Sequence, residues 1–217
     1  MKQIFYLFTA SVILISCSNS PKDTAETVQT NPLTLQDLKK DFKFFNLTEF
    51  EIDTFTWESR QGKYKELDSL TFYMVWQNGK RKFVGQYTDR DYLFSWQNRD
   101  TNFIEFTIIT QDENGYCSLL NYLIFDKNGK FIDKFVAASS CGDAGWVFSS
   151  HGKFIDKRTY ERLDMEYEYK GEDVVNDDMA DFEEFIEGDS TLYHIIINDK
   201  GKVTQKEIFK KHFREKL

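Results

Sequence analysis

Residues 70–87 read LTFYMVWQNGKRKFVGQY, and the periodicity of this stretch separates a sheet protein from the alternatives. If Asn78-Gly79 is the centre of a two-residue type I′ turn, Met74 faces Phe83, Leu70 faces Tyr87 and Phe72 faces Gly85, all on one face. Thr71–Gln86 and Val75–Lys82 then fall on the other face. Asn-Gly suits such a turn because both central residues take positive φ. A one-residue slip would scramble the sorting, and the ring of Phe72 can cover the bare backbone of Gly85. The spacing predicts a β-hairpin.

Outward from this hairpin the same pattern continues. After Asn46 the chain consists of short runs rich in Phe, Tyr, Val, Ile and Thr, broken by Gly-Lys at 62–63, 79–80, 129–130, 152–153 and 201–202. Glycine tolerates the backbone of a tight turn, and lysine opens the outgoing strand without self-pairing. The hexapeptide GKFIDK occurs at 129–134 and 152–157, a spacing of about two strands with their turns. The two prolines, Pro21 and Pro32, both precede Leu33, so nothing beyond them removes a ladder donor. There is no glycine-rich strand-to-helix turn and no βαβ alternation. The expectation is a mainly β fold, an antiparallel β-meander of about nine or ten strands. Barrel, half-barrel and sandwich all remain open for it.

The exception is a short N-terminal helix. Thr34 with Asp37 makes a weak capping box, Leu33 can staple onto Leu38, and Leu35, Leu38, Phe42 and Phe45 follow helical spacing. At the other end Thr204 and Glu207 also resemble a capping box, with Phe209, Phe213 and Leu217 on one helical face. The preceding Asp199-Lys200-Gly201-Lys202 turn instead favours a strand from about Lys202, leaving the last turn or two undecided.

The first residues have the layout of a secretory signal. Lys2 supplies the charge, and the uncharged stretch Ile4 to Ile15 is well short of the roughly 20 apolar residues needed to span a bilayer. Leu14-Ile15-Ser16-Cys17 resembles the lipobox of bacterial lipoproteins. The resemblance covers only this N-terminus. It implies a signal peptide over 1–16 and acylation of Cys17; separately, Ser18 to Thr30 is polar and free of aromatics, so 17–32 reads as a flexible linker and 33–217 as a single β-rich domain. Ser18 stands where Asp would mark inner-membrane retention, so the resemblance, to small envelope lipoproteins of Gram-negative bacteria, implies an outer-membrane address. Which leaflet is faced stays open.

The formal charge is -8, which argues against nucleic acid and against a polybasic membrane-surface role. Much of it is local. Asp164 to Asp189 carries twelve acidic residues against one base, Lys170. Three readings compete for it: a solvated edge partly offset by the basic run Lys200 to Lys216, an acidic docking face for a basic partner, or a weak cation site. The docking face would be built from Asp173, Asp177, Asp178, Asp181, Glu183 and Glu184. An EF-hand pattern is absent around Asn176-Asp177-Asp178.

Cys117 and Cys141 are expected either to pair after export or to stay as buried thiols. The turn at Asp126 to Lys130 places Cys117 opposite a residue between Ala138 and Ser140, with Cys141 one to three positions away. A curl of the loop Ser139–Gly145 would then be needed to close a bridge. That loop, with His151, holds nucleophile, acid and base types, but no G-x-S-x-G elbow supports a hydrolase. His151, His194 and His212 are far apart and match no zinc spacing. No catalytic residue, cofactor or metal is therefore expected. The many aromatics, with Trp57, Trp76, Trp96 and Trp146 near strand ends or loops, are read mainly as core and otherwise as a binding rim. The expected function is a non-enzymatic binding or protein-interaction module of the envelope, of inhibitor or immunity type. The alternative is a carrier of a lipid or other apolar ligand.

Overall fold

The computed structural model describes residues 33–52, 63–77, 83–84, 87–88, 90–111, 116–176 and 179–217, with backbone alone for 83–84, 87–88, 172–176 and 179–183. Leu33–Leu217 forms one compact unit. Cys17, the whole lipobox, Trp57 and the Asn78-Gly79 turn lie outside the described residues.

Three two-residue strands, β1 (Phe44–Phe45), β2 (Glu49–Phe50) and β3 (Lys65–Glu66), precede helix α1 (Ser69–Val75). A ribbon of β4 (Phe83–Val84) and β5 (Tyr87–Thr88) follows it. The chain then runs up and down through β6 (Arg90–Gln97), β7 (Ile104–Gln111), β8 (Cys117–Phe125) and β9 (Phe131–Asp143). It continues through β10 (Trp146–Phe154), β11 (Thr159–Asn176), β12 (Met179–Ile197) and β13 (Val203–Lys216). Each of these eight strands is antiparallel to the next, so the core of the fold is the expected meander. β1 adds to β6 in parallel, β3 also pairs β6, and β2 pairs β10.

The sheet curls without closing. On a flat sheet β6 and β12 would stand about 29 Å apart at ~4.8 Å per strand. Yet Tyr92 and Phe94 of β6 share one core with Ile195 and Ile197 of β12. The concave face is filled by rings: Tyr122 stacks on Phe135 at 4.9 Å, Phe50 and Phe154 pack edge-on against Tyr122, and Tyr160 lies tilted against Phe135. Tyr160 donates its hydroxyl proton to the carbonyl of Ala137 at 2.8 Å, tying β11 across to β9. The convex face of β6–β8 carries a second core, in which Trp96, Phe106 and Phe125 stack beneath Leu35, Leu38, Phe42, Phe72 and Val75.

The N-terminal helix is present as a 3-10 helix, Leu35–Asp41, closed by the predicted capping box of Thr34 and Asp37. Leu35, Leu38 and Phe42 are buried, while Phe45 leaves the helix and enters β1, exposed. At the C-terminus the strand alternative holds, since β13 runs to Lys216.

The opening hairpin is a correction. Residues 69–75 are helical, not a strand paired with 82–87, and Phe83 and Val84 pair instead with Thr88 and Tyr87. Asp68 caps the helix, its carboxylate accepting the N–H of Thr71 at 2.8 Å. Helical winding buries Leu67, Phe72 and Val75 together and leaves Leu70 and Tyr73 in solvent, whereas a strand would have placed Leu70 inward.

The Gly-Lys signal divides. Gly129 and Gly201 take φ of +80° and +74° in matched turns, where the side chains of Asp126 and Asn198 each accept two backbone N–H groups. Gly152-Lys153, however, lies inside β10. A Cβ there would stand 2.3 Å from the carbonyl oxygen of Glu161, so this glycine serves close approach rather than a turn. The two GKFIDK copies thus occupy different places, one opening a strand and one ending a strand.

Candidate interaction surface on the long hairpin

β11 and β12 form the longest hairpin, paired without a break from Thr159↔Ile196 to Asn176↔Met179. At its base Tyr160, Ile195 and Ile197 join the ring core, and near the end of β13 Phe185 is buried under the guanidinium of Arg214 at 3.8 Å. From Asp164 the hairpin runs on for roughly 40 Å, at about 3.3 Å per residue. Its neighbours drop away in steps. β10 accompanies it to Trp146↔Glu168, and β13 to Phe185↔Lys216.

The stem, where β13 is still present, would repel itself without that strand. Its register sets Glu166 against Asp189 and Glu168 against Glu187, like charges directly opposite. β13 answers with His212 beside Asp189 and Arg214 beside Glu187. The resulting ladder has Lys210–Asp189 at 2.8 Å, Lys170–Glu187 at 2.9 Å, and His212 bridging Asp189 at 3.1 Å and Glu187 at 3.3 Å. Hydrogen bonds from Lys170 and His212 hold the Glu187 carboxyl below its ordinary range, and those from Lys210 and His212 do the same for Asp189. The same two carboxylates, Asp189 first, push His212 up. Trp146 closes the ladder by donating its indole N–H to Glu166 at 3.1 Å. These groups line a groove of about 470 Å³.

The tip is different. Residues 172–184 contain Glu172, Asp173, Asp177, Asp178, Asp181, Glu183 and Glu184 and no Lys or Arg. No residue of β13 pairs with them, since its ladder stops at Phe185. The register places Glu172 opposite Glu183 and Asp173 opposite Phe182. Of the predicted docking set, Glu184 is exposed, its carbonyl accepting the N–H of Leu217. Asp173, Asp181 and Glu183 are placed by backbone only, and Asp177 and Asp178 lie outside the described residues. The backbone pairing of β13, which carries the basic run Lys200 to Lys216, therefore follows the stem and ends where the tip begins.

Cys117 and Cys141 are joined by a disulfide and stand directly opposite each other, with Cα atoms 4.1 Å apart. The expected offset is removed by two bulges between β8 and β9, near Leu120 and Ile124, which insert extra residues into β9. No loop curl is needed: 139–143 is strand, and the turn is only Ala144-Gly145, both at positive φ. Ser139 and Ser150 share a buried hydroxyl pair at 2.7 Å. His151 alternates onto the face of β10 opposite Ser139, Cys141 and Ser150; Ser140 shares its face, opposite Ser149, but among the described residues no hydrogen bond joins the two.

His194 sits beside Glu161 at 3.3 Å. Among the described residues no group of three or more His, Cys, Asp or Glu side chains converges as a metal set, and no helix is long and apolar enough to cross a membrane. As expected from the sequence, Trp96 lies one residue from the end of β6 and is buried, Trp76 follows helix α1 and lies under Lys134 at 4.6 Å, and Trp146 opens β10 beside the stem.

One cluster has no signal in the sequence. At the end of the half-barrel opposite the tip, Arg99 pairs with fully buried Glu105 at 2.5 Å, donates to the carbonyl of Lys157, and lies 4.0 Å over the ring of Phe154. Asp100 meets Arg158 at 3.1 Å. Burial pushes the Glu105 carboxyl up, with the Arg99 guanidinium working against it. The cluster links the β6–β7 turn to the β10–β11 turn through partners dozens of residues apart. It closes that end of the core, and its side chains face one another rather than a groove. No family model, no curated protein and no solved structure matches the chain.

Proposed function

We propose that the protein is a lipid-anchored envelope lipoprotein, acylated on Cys17, whose domain is a non-enzymatic interaction module that docks a basic partner on the tip of the β11–β12 hairpin. The observation that carries this reading is the division of charge along one hairpin. The stem carboxylates are matched by Lys170 of β11 and by cations of β13, while the β13 ladder ends at Phe185, short of a stretch, 172–184, with seven carboxylates and no Lys or Arg of its own. Facing carboxylates on paired strands oppose folding, so their retention calls for a compensating role. A cationic surface approaching that end of the molecule would be steered and held by it. Carriage of an apolar ligand is less favoured, because the concave face that would hold it is occupied by stacked rings.

The test is affinity capture from envelope extracts with the full chain, comparing wild type with a variant carrying Asp177→Asn, Asp178→Asn, Glu183→Gln and Glu184→Gln. The proposal expects a basic protein that is captured by wild type, lost at high salt and lost with the variant. Equal capture by both would refute it. For the anchor, Cys17→Ser should release the protein from membranes, and continued membrane retention would contradict acylation at that residue.

A further inference from the structure

The whole-chain charge of -8 speaks against a polybasic membrane surface, but the meander sorts charge between its two ends. Every second connection falls at the Arg99 end: 98–103 between β6 and β7, 126–130 between β8 and β9, 155–158 between β10 and β11, and 198–202 between β12 and β13. These four carry seven Lys or Arg against four Asp, whereas 112–116, 143–145 and the tip 172–184 hold ten acids and no Lys or Arg in their sequence. The basic turns are clasped together. Arg99 donates to the carbonyl of Lys157, Arg158 bridges Asp100 and Asp199, both at 3.1 Å, and Lys202 donates to the carbonyl of Ile132 at 2.6 Å.

The acids at this end are already engaged. Asp126 and Asp156 each accept two backbone N–H groups within their own turns, and Asp100 and Asp199 pair with Arg158. The lysines point outward instead. Lys127, Lys130 and Lys200 are exposed and make no ion pair among the described residues. Lys157 and Lys202 keep side chains 60% and 58% exposed beside Asp100 and Asp133. Ile155, in the same turn as Lys157, is 47% exposed. The chain also enters the domain here: Leu35 lies against the β8–β9 turn, where a Cβ on Gly129 would meet it at 3.5 Å. Leu33, two residues earlier, is exposed.

We infer that this end docks on the anionic face of a lipid bilayer, with the turn lysines meeting headgroup phosphates and Ile155 entering the interface. Two observations name the partner. The charge presented is the one an anionic leaflet attracts. Only sixteen residues, Cys17 to Pro32, separate the proposed anchor from Leu33, so the end nearest the tether is the end that carries the lysines. A short tether holds that end over the bilayer at high effective concentration, so a modest excess of charge suffices. Docking turns the β11–β12 tip, about 55 Å along the strand from Thr159, away from the headgroups and towards a partner. The choice of a bilayer rests on Cys17 as the anchor, and it does not depend on what the tip binds.

The experiment uses the full chain, unacylated and oxidised, coupled through the Cys17 thiol to a maleimide lipid, which imposes the tether whether or not cells acylate that residue. Cys117 and Cys141 are bridged and do not compete for the lipid. The vesicles are phosphatidylcholine alone, or phosphatidylcholine with about one third phosphatidylglycerol, at low salt. Limiting acetylation by a water-soluble active ester, read by mass spectrometry, gives a rate for each lysine. The expected result is a slowing of about threefold or more at Lys127, Lys130, Lys157, Lys200 and Lys202 on the anionic vesicles, with Lys170 and Lys211 of the stem unchanged. High salt should abolish the slowing. The triple variant Lys127→Glu, Lys130→Glu and Lys200→Glu should abolish it at Lys157 and Lys202. Equal rates on both vesicles, slowing spread evenly over every lysine, or slowing confined to the stem would overturn the inference. Because the lipid is attached chemically, such a failure leaves the anchor to be judged by the Cys17→Ser release test alone.

Discussion

The two ends of this molecule hold their charges in opposite ways. Around Arg99 and Glu105 a few charges are buried, paired and pinned under aromatic rings, within the same curled sheet that contains the ring core. Along β11–β13 many charges are exposed and laddered across strands, and the tip sequence beyond the end of β13 adds acids without a Lys or Arg. Burial of rings and of one ion pair fixes a single geometry at the first end. At the second, backbone hydrogen bonds and screened pairs give order with little packing, a common property of surfaces that meet a partner. The difference separates what folds the chain from what it presents.

The sharpest way to break this contrast is substitution at the ringed end. Phe106→Ala, at a fully buried position between Trp96 and Phe125, should cost about 3–5 kcal/mol, against only a few tenths for Tyr169→Ala on the exposed stem. Denaturant melts of both variants check this, and similar losses would erase the distinction. Arg99→Ala should cost nearly as much, about 3–5 kcal/mol, by leaving the Glu105 carboxylate buried and unpaired. Because the folded-state pKa of Glu105 is raised, the fold binds its proton more tightly than the unfolded chain does. Stability from this group is fully present at low pH and falls as pH rises through the ordinary carboxylate range towards the folded value. Glu105→Gln should flatten that fall in a series of melts across pH 4 to 7, and an unchanged slope would contradict it.

Reducing the Cys117–Cys141 bridge, or replacing both residues by Ser, should cost about 3 kcal/mol for a separation of 24 residues. The smallest expected effect is at His212. Its folded pKa is raised, so its contribution is present below the unfolded pKa and lost as pH rises through the folded value. An NMR titration should place it above an ordinary histidine, moving back towards ordinary with Asp189→Asn or in high salt. An unshifted titration would remove the ladder as an account of the stem.

The sheet was legible in the sequence wherever a run rich in β-branched and aromatic residues met a turn residue at its end. The Asp126–Lys130 and Asp199–Lys202 turns and the choice of strand over helix after Gly201 followed from that, although β8 is buried on both faces and β13 is exposed along most of its length. Residues 70–76 misled because Leu70, Phe72 and Met74 alternate while Thr71, Phe72 and Val75 also share a helical face. Only the Asp68 cap and the waiting surface of β6–β8 decide between the two periods. The disulfide register was hidden because bulges leave no mark in composition. At the candidate site the acids were visible, but their division into a stem beside β13 and a tip beyond it depends on how far β13 runs alongside. Arg99 and Glu105 carried no signal, since their meeting is made by the curl of the whole sheet.

The central claim is that the tip carboxylates serve docking and not folding. It is tested most directly by hydrogen exchange of the β11–β12 backbone in the variant with Asp177→Asn, Asp178→Asn, Glu183→Gln and Glu184→Gln. If the account holds, relief of repulsion leaves protection at 172–184 unchanged or slows exchange there, with the core unaffected. Faster exchange through the hairpin, with loss of protection spreading into the stem, would show that the acids hold the structure together and would contradict it.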